Sequence, residues 1–509
     1  MNSIPERFGI NLAGNLIKAF LVFVTGLLIA RTLGPEDYGY FAFLLASFVA
    51  VRALFDMGTS NAFFTFVSKE PREKKFFLYY FLWICAQFLI PIILIVSLSN
   101  NWLISVWKGG ELELIIAAFI ASFMQFTLWG FIAQLGESQR LTKKVQLINI
   151  TVAMSHLLAV LVVILLGYKS LFILYTLVAL EFLLAFIYVL STWRKIIVFN
   201  VADSQLSAKG FFKEFYKYCR PLFLYTWVMC GYIFADAWML QHYAGSVQQA
   251  YFSVALQVAT ISLLATTSIL RVLWKEIAEE AHRGNLERVK RLYFNTCRWL
   301  FFFAAMISGF LVPWAADIID VTLGEEYMMG VTVLTVMFFY PVHQALGQVV
   351  SSMYLALEMT ISYARLGVVS MLVSVIVTYF VLVPSDKSII GFGLDLGAIG
   401  LALKMVFLQF LSVNLYIWFL CKKQNWQYQF KYQIYILMLT VMAGYFSFYA
   451  VTFFWQTEGL RVLMFFLSGG VYLVCIGTGV WFISKPLLGV SQFELSQLWP
   501  RIFKSRRTL

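Results

Sequence analysis

Three cations lie inside long apolar stretches of the 509-residue chain: Lys18, Arg52 and Lys404. An ion at the centre of a bilayer costs roughly 2.5–3.5 kcal/mol on insertion scales. Each therefore needs a partner, a wet cavity or a task. Arg52 is the deepest. Its planar guanidinium can grip a phosphate through two parallel hydrogen bonds. Asp56 follows at i+4, within pairing reach on a helix. The two read either as a structural ion pair or as an anion grip that Asp56 orients and a ligand opens. Lys18 shares a helical face with Asn11 and Asn15 at i, i+4, i+7, the pattern of a wet wall. Snorkelling of the ammonium to headgroups is the plain alternative.

The acids are fewer. Asp236 and Glu181, also in apolar segments, are the candidates for binding a coupling proton or cation. Their plain reading is a hydrogen-bonded acid tying helices together, and for His156 and His343 it is a satisfied core histidine. Amides and hydroxyls recur at helical spacing: Tyr340, Gln344, Gln348 and Ser351 in one segment, Ser253, Gln257 and Thr260 in another. Such rows suit sugar hydroxyls and ring faces, and equally suit interhelical hydrogen bonds worth about 0.6 kcal/mol.

These residues must be positioned by membrane helices. The chain is 61% hydrophobic and 13% charged, with 50 Phe, 15 Trp and mean hydropathy +0.81. A soluble domain carries about 25% charge. Disorder, collagen-like repeats and a secreted disulfide scaffold are excluded. Fourteen segments are long enough to cross a bilayer: 10–30, 38–67, 76–98, 113–136, 145–167, 171–193, 220–243, 247–273, 296–316, 328–357, 360–384, 397–420, 434–455 and 461–483. The first runs into IARTLG with no small-residue cleavage site, which predicts an uncleaved span.

The net charge of +12 is a topology signal. With the N-terminus inside, only Arg31, Lys108, Lys169, Lys387 and Arg461 fall outside. Apart from the three intramembrane cations, every other Lys and Arg falls on the cytoplasmic side. Both termini are expected in the cytoplasm and the chain in the cytoplasmic membrane. Anionic headgroups are the natural neighbours of this charge; no basic soluble domain exists to bind nucleic acid. The stretch 274–295 reads as an amphipathic helix extension at the surface.

The six cysteines show no metal or redox spacing, and no GxxxxGK[ST] or HExxH occurs. No metal, cofactor or catalytic residue is assigned.

ARTLGPEDYGYFAFLLA and LQHYAGSVQQAYFSVALQV align at one constant offset, with Gly34, Tyr40 and Phe41 over Gly245, Tyr251 and Phe252. Each joins the first two spans of a six-span set, which predicts parallel repeats. The expected architecture is an all-α polytopic membrane protein of about 14 helices. Two six-helix lobes are related by a pseudo-two-fold along the membrane normal, with room for a cavity between them. The expected division is 1–195 (spans 1–6), a linker at 196–219, 220–425 (spans 7–12), and 426–509 (spans 13–14 and a basic tail).

LIARTLGPEDYGYFAFL, ADAWMLQHYAGSVQQAYFSVALQVA, VTLGEEYMMG and LGAIGLALK run through the chain in order. They resemble the marks of polysaccharide-type (O-antigen or exopolysaccharide) flippases of the multidrug/oligosaccharidyl-lipid/polysaccharide (MOP) exporter superfamily. The resemblance implies a two-lobed carrier of 12–14 spans that moves undecaprenyl-diphosphate-linked sugar units across the bacterial inner membrane. The drug-exporting branch carries an acid in span 1; this chain has Lys18 there.

On this reading Lys18, Arg52 and Lys404 meet the anionic head. Asn11, Asn15, Gln257, Tyr340, Gln344 and Gln348 line a polar cavity for sugar, and Asp56, Asp236 and Glu181 orient or couple. Partners would be the lipid-linked glycan, membrane lipids and a glycan polymerase or assembly proteins, with a monomeric transport unit. Two other classes stay open: a cation-coupled multidrug or small-molecule antiporter on the same fold, and a membrane-embedded glycan polymerase or glycosyltransferase. The latter needs catalytic residues on a sizeable outer loop, and the outer loops here are short.

Overall fold

Backbone polar groups in hydrocarbon must be satisfied within the chain, and helices do this segment by segment. The computed structural model accordingly shows helices and no strand among the described residues. These are 4–70, 72–193, 207–220, 223–263, 277, 280, 283–357, 359–428, 430–453 and 461–482. Twelve of their helices are long and apolar enough to cross a membrane. The chain is thus the all-α polytopic membrane protein its composition predicts.

The longest such run, Gly9–Asp56, has 48 residues. At 1.5 Å per residue it would reach about 72 Å, over twice a hydrocarbon core. It belongs to α1 (Ile4–Asp56), which breaks at Gly34 (φ 75, ψ 172) ahead of Pro35, and so supplies spans 1 and 2. Span 2, expected to run to 67, stops at Asp56. Met57 and Gly58 adopt left-handed φ of 49 and 83, and α2 (Thr59–Lys69) starts afresh.

There follow α3 (Lys74–Ser97), α4 (Asn100–Trp107), α5 (Leu112–Ser122), a π-turn (Phe123–Leu128), α6 (Trp129–Ser138), α7 (Thr142–Leu165) and α8 (Leu171–Trp193). Next come α9 (Ala208–Cys219), α10 (Phe223–Met239), a second π-turn (Leu240–Ala244) and α11 (Ser246–Thr260). Residues 264–273 of the span expected at 247–273, with Arg271 among them, linker residues 196–206, residues 274–276, 278, 279, 281 and 282 of the expected surface extension, and the tail 484–509 lie outside the described residues. The chain continues with α12 (Leu286–Leu311), α13 (Ala315–Leu323), α14 (Val331–Met337), α15 (Tyr340–Ala356), α16 (Thr360–Leu382), α17 (Gly397–Gln424), α18 (Phe430–Thr452) and α19 (Arg461–Phe482).

Two compact units emerge: residues 1–253 with 367–401, and residues 254–366 with 402–509. This partition differs from the lobes read from the repeat, because α10, the start of α11 and most of α16 pack with the N-terminal helices.

In the first unit, Phe48 stacks on Trp107 and meets Phe119 edge-on, and Phe63 stacks on Tyr80. A Cβ on Gly14 would lie 2.7 Å from Gln146 Oε1, so only glycine lets α1 approach α7 this closely. In the second unit, Gly309 of α12 faces Thr440 and Gly444 of α18, and a Cβ on Gly309 would stand 2.6 Å from the Thr440 carbonyl carbon. Tyr472 of α19 donates to Met306 O at 2.8 Å, closing a three-helix seam. Small residues at such crossings replace the hydrophobic drive that lipid cannot supply.

Candidate functional site

The first unit holds Asn11, Asn15, Lys18, Arg52, Asp56, Glu181 and Asp236. Arg52 lines a narrow cavity of about 10 Å³, room for about one water, among α1, α3, α5 and the first π-turn. Gln87, Ser122 and Thr127 supply its polar atoms, and Phe48, Phe119 and Phe123 its apolar wall. The guanidinium lies over the Phe126 ring at 6.0 Å. Gln87 is buried, and Ser122 Oγ is buried without a hydrogen-bond partner. The π-turn widens the helix just where these groups face Arg52, a distortion common at functional sites. On the same wall, Pro91 sits inside α3.

The expected Arg52–Asp56 pair does not form: among the described residues no carboxylate lies within ion-pair distance of Arg52. Asp56 instead serves the next helix. Its Oδ1 accepts from Ser60 N at 3.0 Å, Ser60 Oγ at 2.7 Å and Thr59 Oγ1 at 3.2 Å, and its Oδ2 from Gly58 N at 3.3 Å. The reason is local. The turn at Met57–Gly58 ends α1 beside the carboxylate and presents it with the unpaired N–H groups of α2's first turn.

Asn11 Oδ1 accepts from Asn15 Nδ2 at 2.6 Å and from Gln146 Nε2 at 3.0 Å. The stripe on α1 thus continues onto α7. Lys18, further along the same face of α1, is half-buried. Glu181 Oε2 sits 2.8 Å from His156 Nδ1, joining α7 to α8. Asp236 Oδ1 accepts from Thr378 Oγ1 at 2.6 Å, joining α10 to α16.

At the end of this unit marked by Gly34 and Gly245, Tyr40 donates to Trp107 O at 2.9 Å and Trp238 Nε1 to Ser105 O at 3.3 Å. Lys108 Nζ donates to the carbonyls of Gln241, at 3.2 Å, and His242. Partial burial and then the neighbouring charge of Lys387 hold its ammonium below the usual lysine range. A cation at a helix C-terminus meets free carbonyls and the negative end of the dipole.

The second unit holds Gln257, Tyr340, Gln344, Gln348 and Lys404. Lys404 is buried. Gln344 Oε1 accepts from Gln409 Nε2 at 2.6 Å, joining α15 to α17. Tyr340, Gln257 and Gln348 are half-buried. The Gln348 carbonyl accepts from Ser351 and Ser352 Oγ, both at 2.9 Å.

A buried relay not anticipated from spacing runs from His343 Nε2 to Gln433 Oε1 (3.2 Å), then from Gln433 Nε2 to Asn414 Oδ1 (2.8 Å). Tyr428 OH also donates to Asn414 Oδ1, at 2.5 Å. Burial pushes the Tyr428 phenol up to about 12, so it remains a donor at neutral pH. Gln146, Gln87, Thr378, Gln409 and Asn414 are the other partners missed. Single amides and hydroxyls in apolar segments were the available signal, and only packing selects their partners.

Among known proteins, residues 6–274, more than half of the chain, match the family model described as "Polysaccharide biosynthesis protein". No curated protein matches the chain in sequence. Among solved structures, the chain is similar to a lipid II flippase, MurJ, in an inward closed conformation. That likeness has TM-score 0.67 and 15% identity, covering 93% of this chain and 98% of that one. A multidrug resistance MATE transporter of the MOP superfamily, inward-facing, aligns with TM-score 0.61 and 14% identity over 82% and 99%. A MOP superfamily transporter from Pyrococcus furiosus aligns with TM-score 0.54 and 13% identity over 82% and 95%. The fold is thus that of the MOP superfamily, and the chain belongs to the polysaccharide biosynthesis protein family.

Proposed function

We propose that the chain is a flippase that moves undecaprenyl-diphosphate-linked oligosaccharide units across the cytoplasmic membrane by alternating access, for cell-surface polysaccharide synthesis. The observation that carries this reading is Arg52. It is a guanidinium in the last turn of span 2, with no carboxylate partner among the described residues, facing a cavity with a buried amide and an unpartnered hydroxyl. Leaving such a group unpaired in hydrocarbon is costly. An anionic ligand that takes the guanidinium bidentately would offset the cost.

Lys18 and Lys404 are the further candidates for the anionic head. The amide rows on α1, α11 and α15 are candidates for sugar hydroxyls. Glu181 and Asp236 are candidates for coupling through the bonds they make to His156 and Thr378. Asp56 is left with a capping role. The polyprenyl tail would stay in lipid while the head crosses. With the inside negative, each negative charge carried outward gains about 2.3 kcal/mol per 100 mV. The reading has a transport cycle and no catalytic step.

The deciding experiment measures export of surface glycan in cells carrying Arg52→Ala or Lys18→Gln at equal protein levels. Loss of export with accumulation of lipid-linked units inside supports the reading. Normal export in both variants overturns the cavity assignment.

A further inference from the structure

Helix α9 starts at Ser207, whose Oγ accepts from Gly210 N at 3.1 Å. At 100° per residue its side chains divide the helix surface into three sectors. Phe211, Phe215 and Cys219 form the buried sector. Phe211 packs on Phe76 and Tyr79; Phe215 packs on Phe66, Phe76 and Tyr80. Arg72 closes the seam: it donates to both carboxylate oxygens of Glu214, at 2.9 and 3.4 Å, and lies over the rings of Phe66 and Phe76.

The next sector round the helix holds Phe212 and Tyr216, at i and i+4, which are 56% and 64% exposed. Beyond them Lys209, Lys213 and Lys217, at i, i+4 and i+8, form an exposed stripe with no acid in it. Lys69, Lys74 and Lys75 are exposed on the adjoining α2–α3 joint.

Two facts place α9 at the membrane face. Phe211 and Phe215 of its buried sector rest on the end of α2 and the first turns of α3, an apolar helix long enough to span. The following apolar helix begins at Phe223, four residues after Cys219, a distance of at most about 14 Å. A helix held there with an exposed aromatic flank beside a lysine stripe matches the layering of a bilayer surface. Rings suit the acyl–headgroup boundary and ammonium groups suit phosphates.

We propose that α9 binds the anionic phospholipid headgroups of the leaflet it lies on. Lys209, Lys213 and Lys217 hold the phosphates, and Phe212 and Tyr216 seat in the boundary beneath. Charge complementarity selects this occupant, since the stripe carries three cations and no anion. The Arg72–Glu214 pair then ties the lipid-bound helix to the α2–α3 joint. This inference does not depend on the cargo.

The test uses the full chain in nanodiscs of phosphatidylcholine alone or with phosphatidylglycerol, and reads hydrogen–deuterium exchange over 208–219. Exchange is expected to slow with phosphatidylglycerol, and the slowing to shrink at high salt. In Lys209→Gln/Lys213→Gln/Lys217→Gln the apparent affinity for phosphatidylglycerol is expected to fall about fivefold per lysine. Unchanged exchange over the rest of α2 and α3 will show that this variant keeps its fold. Equal exchange in both lipids, or an undiminished response in the triple variant, overturns the proposal. Neither readout involves transport, so failure here leaves the proposed function standing, and the converse.

Discussion

Gly34 and Gly245 have nearly the same backbone conformation, φ 75, ψ 172 and φ 86, ψ 177. Each stands where one apolar helix gives way to the next, at equivalent places of the two sequence copies. Gly324, between α13 and the 3₁₀ turn Glu325–Gly330, repeats the conformation with φ 88, ψ −176. This region of φ/ψ space is open essentially to glycine alone.

Replacing Gly34 or Gly245 by Ala is therefore expected to cost about 1–3 kcal/mol each. At Gly245 a Cβ meets nothing within 4 Å, so the loss there is backbone strain and not a clash. Thermal unfolding of the purified variants in detergent checks this. Gly231→Ala, inside α10 at a site with equal space and no positive φ, serves as the reference and should be unchanged or slightly more stable.

Arg52→Ala is expected to lower glycan export by roughly tenfold to a hundredfold, matching the loss of a charge-assisted hydrogen bond of about 1.5–3 kcal/mol. Arg52→Lys should recover only part, because an ammonium lacks the planar fork. Export rates normalised to protein level decide it, and a lysine variant equal to wild type would remove the bidentate element.

Asp56→Ala is expected to behave differently from Arg52→Ala. Losing the cap of α2 should cost about 1 kcal/mol of stability, with export per folded molecule retained. If Asp56 instead orients Arg52, the two variants will show the same export defect at matched levels of folded protein.

Gly309→Leu is expected to destabilise the second unit by several kcal/mol, beyond the 1–3 kcal/mol typical of overpacking, because the obstacle is the backbone of Thr440. Gly309→Ala should do so less. Reduced yield and a lower unfolding temperature in detergent are the readouts, while Gly470→Ala, with open space at its Cβ, should be silent.

Much of the molecule was legible from residue order. Runs of about 20 apolar residues specify spanning helices because hydrocarbon leaves the backbone no other partner, and the separation of α15 from α16 at 357–360 follows the expected one. The glycine pair was legible as two like breaks between apolar helices, because only glycine tolerates that backbone. The α1 stripe of Asn11, Asn15 and Lys18 was legible as a shared face, although Gln146 as its partner was not.

Spacing also misled in one place. Asp56 stands at i+4 from Arg52, which sets reach on a continuous helix, but Met57 and Gly58 end that helix and turn the carboxylate to the amides of α2. No periodicity announces the π-turn at Phe123–Leu128 that faces Arg52, nor the approach of Gly309 to Gly444.

Sequence alone thus determined that this is an all-helical membrane chain carrying a few ions within its apolar segments. Those properties follow from solvent and local backbone chemistry, which act residue by residue. Which ion is satisfied, as Glu181 is by His156, and which is left facing a cavity, as Arg52 is, depended on contacts between segments far apart in the chain. Only tertiary packing decides those, because a buried charge is defined by what the other helices bring to it.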